Sequence, residues 1–144
     1  MSIDITGKGF HSGGLLHFSP KETCELCEQG AVLIDIRETY ISDFKMFGVA
    51  RVEYHPFSAL HDSYKNLPAG ELYIVADSAG LKSKESVLFL HQKGLSEVYN
   101  MAGGMIEWER DRLPLRKDTN EQLDGSCMCQ LRPRIKNKNK IKKV

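Results

Sequence analysis

Two short, unbroken apolar runs constrain this chain more than anything else in it: Ala31-Val32-Leu33-Ile34, closing on Asp35, and Leu72-Tyr73-Ile74-Val75-Ala76. Neither alternates with polar residues, so neither can be a strand with one wet face. The first follows Gly30 directly, the second follows Gly70 with Glu71 opening its strand, and each is too short to be a core helix. Such runs are the signature of strands covered on both faces, which in practice means a parallel sheet between two layers of helices. The flanking sequence agrees. Ser19-Pro20-Lys21-Glu22 has the cap, the proline and the acid of a helix start, and Gly30 supplies the stop. Lys84 to Lys93 reads as a second helix, with Val87, Leu88 and Leu90 inward and Leu95 beyond the Gly94 stop.

Shorter elements fill the intervals. Leu15-Leu16-His17-Phe18 reads as a first strand and Ser96-Glu97-Val98-Tyr99-Asn100 as a later one. Glu38 to Met46 is weakly helical, Val49 to Val52 a short strand, and Phe57 to Lys65 a loose helix or turn before the Pro68-Ala69-Gly70 breaker. Gly103-Gly104 leads into an amphipathic helix through Met105, Ile106 and Trp108 that closes at Pro114. Strands alternate with helices throughout, so the expected class is α/β.

Charge divides the chain unevenly. Of 20 Lys/Arg and 19 Asp/Glu, seven basic and no acidic residues lie in 132–144, leaving residues 1–131 at a net −6. A basic tail of this kind reads as solvated, with nucleic acid or the acidic body as the other possible contacts. It holds no aromatic residue to stack on bases, so nucleic acid is not the expected partner. No apolar run approaches the roughly 18–20 residues that cross a membrane. The first residues lack the basic-then-apolar pattern of a secretory signal, and the expected location is the cytoplasm.

The segment Asp77-Ser78-Ala79-Gly80-Leu81-Lys82-Ser83 is the candidate site. It lies between a buried strand and a helix start, at the carboxyl end of a sheet, where ligands of open α/β folds bind. Gly80 lets the backbone curl so that successive N–H groups face inward, and the helix dipole adds to them. Ser83 can cap the helix or bind an anion, and Lys82 places a positive charge at the rim. The segment therefore reads as an anion cradle; a plain strand-to-helix turn is the alternative.

Four motifs in order resemble the rhodanese-homology family. Val32-Leu33-Ile34-Asp35-Ile36-Arg37-Glu38 is similar to its first signature, a strand ending in Asp-x-Arg. Residues 77–83 resemble its reactive loop, Cys-x-x-Gly-x-x-Ser. Val87 to Leu95 matches the helix after that loop. Residues 98–108, through Gly103-Gly104 to Trp108, with Leu113-Pro114, resemble the closing signature. The likeness covers about residues 15–114, with 1–14 as a flexible lead-in and 115–144 as a C-terminal extension. It implies a five-stranded, mainly parallel sheet flanked by helices, and sulfane-sulfur transfer through a cysteine persulfide at the first loop position. That position here is Asp77. Asp35 and Arg37 are then expected as hydrogen-bonding support at the loop base.

A carboxylate cannot form and release an S–S bond, so the standard thiosulfate transfer is not expected. An ionised Asp77 would satisfy the nest from within and repel thiosulfate-like substrates. The first reading is thus a catalytically inactive domain that keeps the cradle loop and acts in binding, sensing or scaffolding, toward a protein partner or a small anionic ligand. A second reading keeps sulfur or thiol-redox chemistry in Cys127 and Cys129 of the extension. A third joins Cys24, Cys27, Cys127 and Cys129 in a zinc or iron–sulfur site. Against the third, Cys24 and Cys27 sit three residues apart on the first helix, where small apolar residues face the sheet. No cofactor or resident metal is expected. Trp108, Tyr40 and Phe47 read as packing residues, and His55 and His61 as candidates for the rim of the site. The sequence sets no oligomeric state.

Overall fold

The computed structural model describes residues 3–38 and 45–117. Its main sheet has six strands. In chain order they are β1 (Phe10–Ser12), β2 (Leu15–Phe18), β3 (Val32–Asp35), β5 (Val52–Tyr54), β6 (Tyr73–Ala76) and β7 (Val98–Met101). In space they run β1-β2-β7-β6-β3-β5. Every neighbouring pair is parallel except β1 with β2. The expected five-stranded parallel sheet is therefore present, with one antiparallel strand added at its edge. β4 (Lys45–Phe47) and β8 (Leu115–Lys117) form a separate antiparallel pair.

The two apolar runs are the neighbouring strands β3 and β6, in register from Val32 opposite Tyr73 to Asp35 opposite Ala76. All eight residues are buried. Because side chains alternate along a strand, the runs feed two cores. Leu33, Ile74 and Ala76 join Leu26, Cys24 and Cys27 of α1 (Pro20–Glu28) and Met105 and Trp108 of α4 (Gly104–Arg110) on one face. Val32, Ile34, Tyr73 and Val75 meet Leu60 of α2 (Leu60–Ser63) and Val87 and Leu90 of α3 (Lys82–Gln92) on the other.

The helix ends follow local sequence where the sequence is explicit. Ser19 Oγ accepts the Glu22 N–H at 3.1 Å while Glu22 Oε1 accepts the Ser19 N–H at 2.9 Å, a complete capping box over Pro20. Gly30 closes α1, with the Ala31 N–H bonded to Leu26 O at 3.0 Å, and Gly94 closes α3 in the same way.

Elsewhere the structure departs from the sequence reading. Phe10–Ser12, inside the stretch expected as a loose lead-in, is a strand because it pairs with β2. Lys45–Phe47 is a strand and not the end of a weak helix, since Phe47 is fully buried edge-on against Trp108 and the backbone pairs with β8. That pairing also carries ordered chain to Lys117, past the expected boundary at Pro114. The short strand expected at 49–52 lies at 52–54. Residues 39–44, with Tyr40, and the extension from 118, with Cys127, Cys129 and the basic tail, lie outside the described residues.

Candidate functional site

β3 and β6 end side by side, and the chain leaves both at the same edge of the sheet. The Ile36 N–H bonds Ala76 O at 3.0 Å and the Phe57 N–H bonds Ile36 O at 2.9 Å, which gathers residues 35–37, 57–59 and the segment after Ala76 at one end. There the backbone of 77–83 curls under two constraints. From outside, the first turn of α4 holds it: the Met105 N–H bonds Asp77 O at 2.8 Å and the Ile106 N–H bonds Ser78 O at 3.1 Å. A Cβ on Gly104 would lie 2.4 Å from Ser78 C, and one on Gly80 would lie 2.9 Å from Gly103 N. Both glycines have positive φ, +62° and +88°. The two segments thus touch backbone to backbone, an approach only glycine permits.

From inside, Asp77 organises the loop. Its carboxylate accepts N–H bonds from Gly80, from Lys82 at 2.7 Å and from Ser83 at 3.1 Å. Asp77 is 7% exposed. Three N–H groups of the loop thus converge on a side chain of the loop itself. Hydrogen bonds from several backbone amides and the start of α3 satisfy the buried carboxyl group's oxygens. The same bonds cap α3, which is why the helix begins at Lys82, two residues before the expected start.

Two expected roles change accordingly. Ser83 is not the helix cap: it is the second helical residue, and Leu81 stands at the cap position with no side-chain bond. The Ser83 hydroxyl is fully buried and has no hydrogen-bond partner among the described residues. Lys82 extends its ammonium over the Phe57 ring, 4.9 Å from the centroid. Leu81 is 77% exposed at the tip, and Ser78 and Ala79 are exposed beside it.

Asp35 and Arg37 form a buried fork at the loop base. Arg37 Nε and Nη2 donate to the two carboxylate oxygens at 3.0 and 2.8 Å, and the Arg37 N–H adds a third bond at 3.1 Å. The guanidinium also donates to Lys45 O at 2.7 Å and lies over the Phe47 ring at 5.0 Å. With every Asp35 oxygen and two guanidinium nitrogens engaged, this pair ties β3 to β4. Removing one partner would strand a buried charge, at a cost of about 3–5 kcal/mol.

The other candidates fall elsewhere. Cys24 and Cys27 are buried in the α1 core. Burial, then the neighbouring Cys24 and Glu28, pushes the Cys27 thiol up to about 12, far from a reactive thiolate. Among the described residues no group of three His, Cys, Asp or Glu side chains could hold a metal ion. His55 is buried between Ser63 Oγ at 2.7 Å and Glu53 Oε1 at 3.2 Å, and so fastens α2 to β5 instead of lining the loop. His61 is exposed beside Asp62. Trp108 is fully buried and donates to Pro114 O at 2.7 Å, as a packing residue should. The α4 amides that hold the loop carbonyls went unread in the sequence, although the Gly103-Gly104 pair was the visible signal for them.

A thiosulfate sulfurtransferase GlpE from Actinobacillus pleuropneumoniae is 34% identical over 105 residues, spanning 67% of this chain and 89% of that protein. The chain belongs to the rhodanese-like family. A thiosulfate sulfurtransferase GlpE from Haemophilus influenzae is 29% identical over 101 residues, covering 67% of this chain and 90% of that one. Among solved structures, a rhodanese-related protein from Thermoplasma volcanium superposes with a TM-score of 0.62 at 25% identity, over 69% of this chain and 95% of its own. No family model matches the sequence. The family likeness and the parallel sheet between helices agree with the fold read from the motifs. No helix among the described residues is long and apolar enough to cross a membrane.

Proposed function

We propose that this chain is a rhodanese-like domain that does not carry sulfur on its reactive loop, and that it acts in binding, sensing or scaffolding. The observation that carries the reading is the Asp77 carboxylate, bonded to the N–H groups of Gly80, Lys82 and Ser83 where the family resemblance puts a persulfide-bearing cysteine. A carboxylate already sits where a transferred sulfur would be stabilised, and it offers no soft nucleophile to a sulfur donor. The only thiols among the described residues, Cys24 and Cys27, are buried in the core that α1 shares with Met105 and Trp108 of α4.

On this reading the loop is rigid, prefilled and flanked by apolar side chains, Leu81 at its tip and Ile106 at 55% exposure on α4. Those features suit recognition by a protein partner, or by a small anion that reaches Lys82 without entering the nest. A thiosulfate:cyanide assay on the purified full-length chain should give background turnover, and Cys127→Ser/Cys129→Ser should leave that background unchanged. Robust turnover lost in the double serine variant would replace this reading with thiol chemistry in the C-terminal extension.

A further inference from the structure

A second candidate site lies behind the loop, on the opposite flank of α3. The turn at Phe57–Ala59 and the start of α2 face residues 85–89 of α3 across a cavity of about 330 Å³ that is open on one side. That volume lies at the lower end of the range, about 300–1,000 Å³, in which small-molecule sites fall. Phe57, Leu60 and Phe89 make its apolar walls. Glu85 and Phe89 share one helix face by their four-residue spacing, so a carboxylate stands beside an aromatic wall.

The side chains that line this cavity include one carboxylate, Glu85, and no lysine or arginine. Lys82 and Lys93 are near, but their ammonium groups lie over the Phe57 and Phe89 rings, at 4.9 and 5.5 Å from the centroids. Two other carboxylates lie nearby and both are engaged: Glu38 accepts from the Ser58 hydroxyl at 3.0 Å and the Ser58 N–H at 3.3 Å, and Asp62 lies 3.6 Å from the His61 ring nitrogen. Glu85 itself makes no ion pair or hydrogen bond among the described residues. The remaining polar groups are neutral or weakly basic: the Ser86 hydroxyl, which donates to Lys82 O at 3.1 Å, and the exposed His61 ring.

We propose that this cavity is a binding site for a small aromatic or aliphatic amine, its apolar body between Phe57, Leu60 and Phe89 and its ammonium group on Glu85. The walls supply dispersion and apolar burial, and the unpartnered carboxylate selects the charge. The site is separate from the loop nest and does not depend on whether the loop carries sulfur. It also touches the loop's edge: Ser86 and Phe57 both contact Lys82, whose N–H is bonded to Asp77.

The test is a titration of the full-length chain by two-dimensional ¹H–¹⁵N NMR. The probes are 2-phenylethylammonium and phenylacetate, similar in size and opposite in charge. The ammonium probe should saturate shifts of amides in 57–61 and 85–89 and bind at least about threefold tighter than the carboxylate probe, as one exposed ion pair permits. Glu85→Gln, on the exposed face of a helix, should abolish that preference, and Glu85→Lys should reverse it. The proposal is overturned if neither probe gives saturable shifts there, if both bind equally to the wild type, or if the preference survives Glu85→Gln.

Discussion

Two helices in this molecule begin with a carboxylate in their cap, and the two carboxylates arrive by different routes. At α1 the acid is Glu22, inside the helix, reaching back to the Ser19 and Gly9 N–H groups. At α3 it is Asp77, outside the helix, reaching forward over five and six residues to the Lys82 and Ser83 N–H groups. The electrostatics are the same: a negative group at the positive end of a helix, satisfying donors that have no partner within it. The architecture differs. The α1 cap needs four consecutive residues. The α3 cap needs a loop, a glycine that turns it and a second helix that holds its carbonyls. The first is a fastening; in the function proposed above, the second occupies the place where a rhodanese-like domain would keep its reactive group.

The comparison predicts a ranking of stability effects. Gly104→Ala should be the most damaging, because the new methyl would press on the Ser78 backbone at a residue with positive φ. We expect a loss above about 2 kcal/mol by urea denaturation, larger than an ordinary surface substitution gives. A loss under half that would mean the α4 amides do not constrain the loop. Asp77→Ala comes next, at about 1–3 kcal/mol, since it leaves buried N–H groups unpaired. Ser19→Ala should cost about 1 kcal/mol, the usual value for a cap in a local box. Finding Ser19→Ala the costlier of these two would invert the account of which cap is more deeply built in.

The smallest effect is a pH dependence at α1. Burial alone would raise the Glu22 carboxyl, but the Ser19 and Gly9 amide bonds outweigh it and hold the group below its usual 4.5. A depressed carboxylate stabilises the fold above its unfolded value. That contribution is lost as pH falls through the lower folded value. Stability measured from pH 7 down through 4.5 should therefore decline less steeply in Glu22→Gln than in the wild type. Parallel curves would remove Glu22 from the acid response.

The contrast between the caps also explains what could be read from the sequence. Ser19-Pro20-Lys21-Glu22 is legible because every partner lies within four residues. The strands β3 and β6 are legible because their burial on both faces leaves no polar position to hide the pattern. Asp77 stands in a segment that resembles a reactive loop, but the sequence does not mark it as the cap of α3, because its partners depend on the turn at Gly80. Ser83 was assigned the capping role for the same reason: it has the right side chain at nearly the right place, and only the fold shows Asp77 there first. The strands β1 and β8 carry three residues each, of which Phe10 and His11 are exposed, so no hydrophobic pattern marks them. The cavity behind α3 was invisible because its walls, 57–61 and 85–89, meet only in the folded chain.

The most direct test of the central claim is sulfur loading at position 77. The Asp77→Cys variant, incubated with thiosulfate and examined by intact mass and peptide mapping, should take up one sulfur atom at position 77 as the thiolate attacks the sulfane sulfur and sulfite leaves, while the wild type takes up none on the loop. The account predicts this gain because the Gly80, Lys82 and Ser83 amides and the α4 clamp remain to receive a persulfide. A folded Asp77→Cys protein that stays unloaded, or a wild-type protein that turns thiosulfate over efficiently, would contradict it.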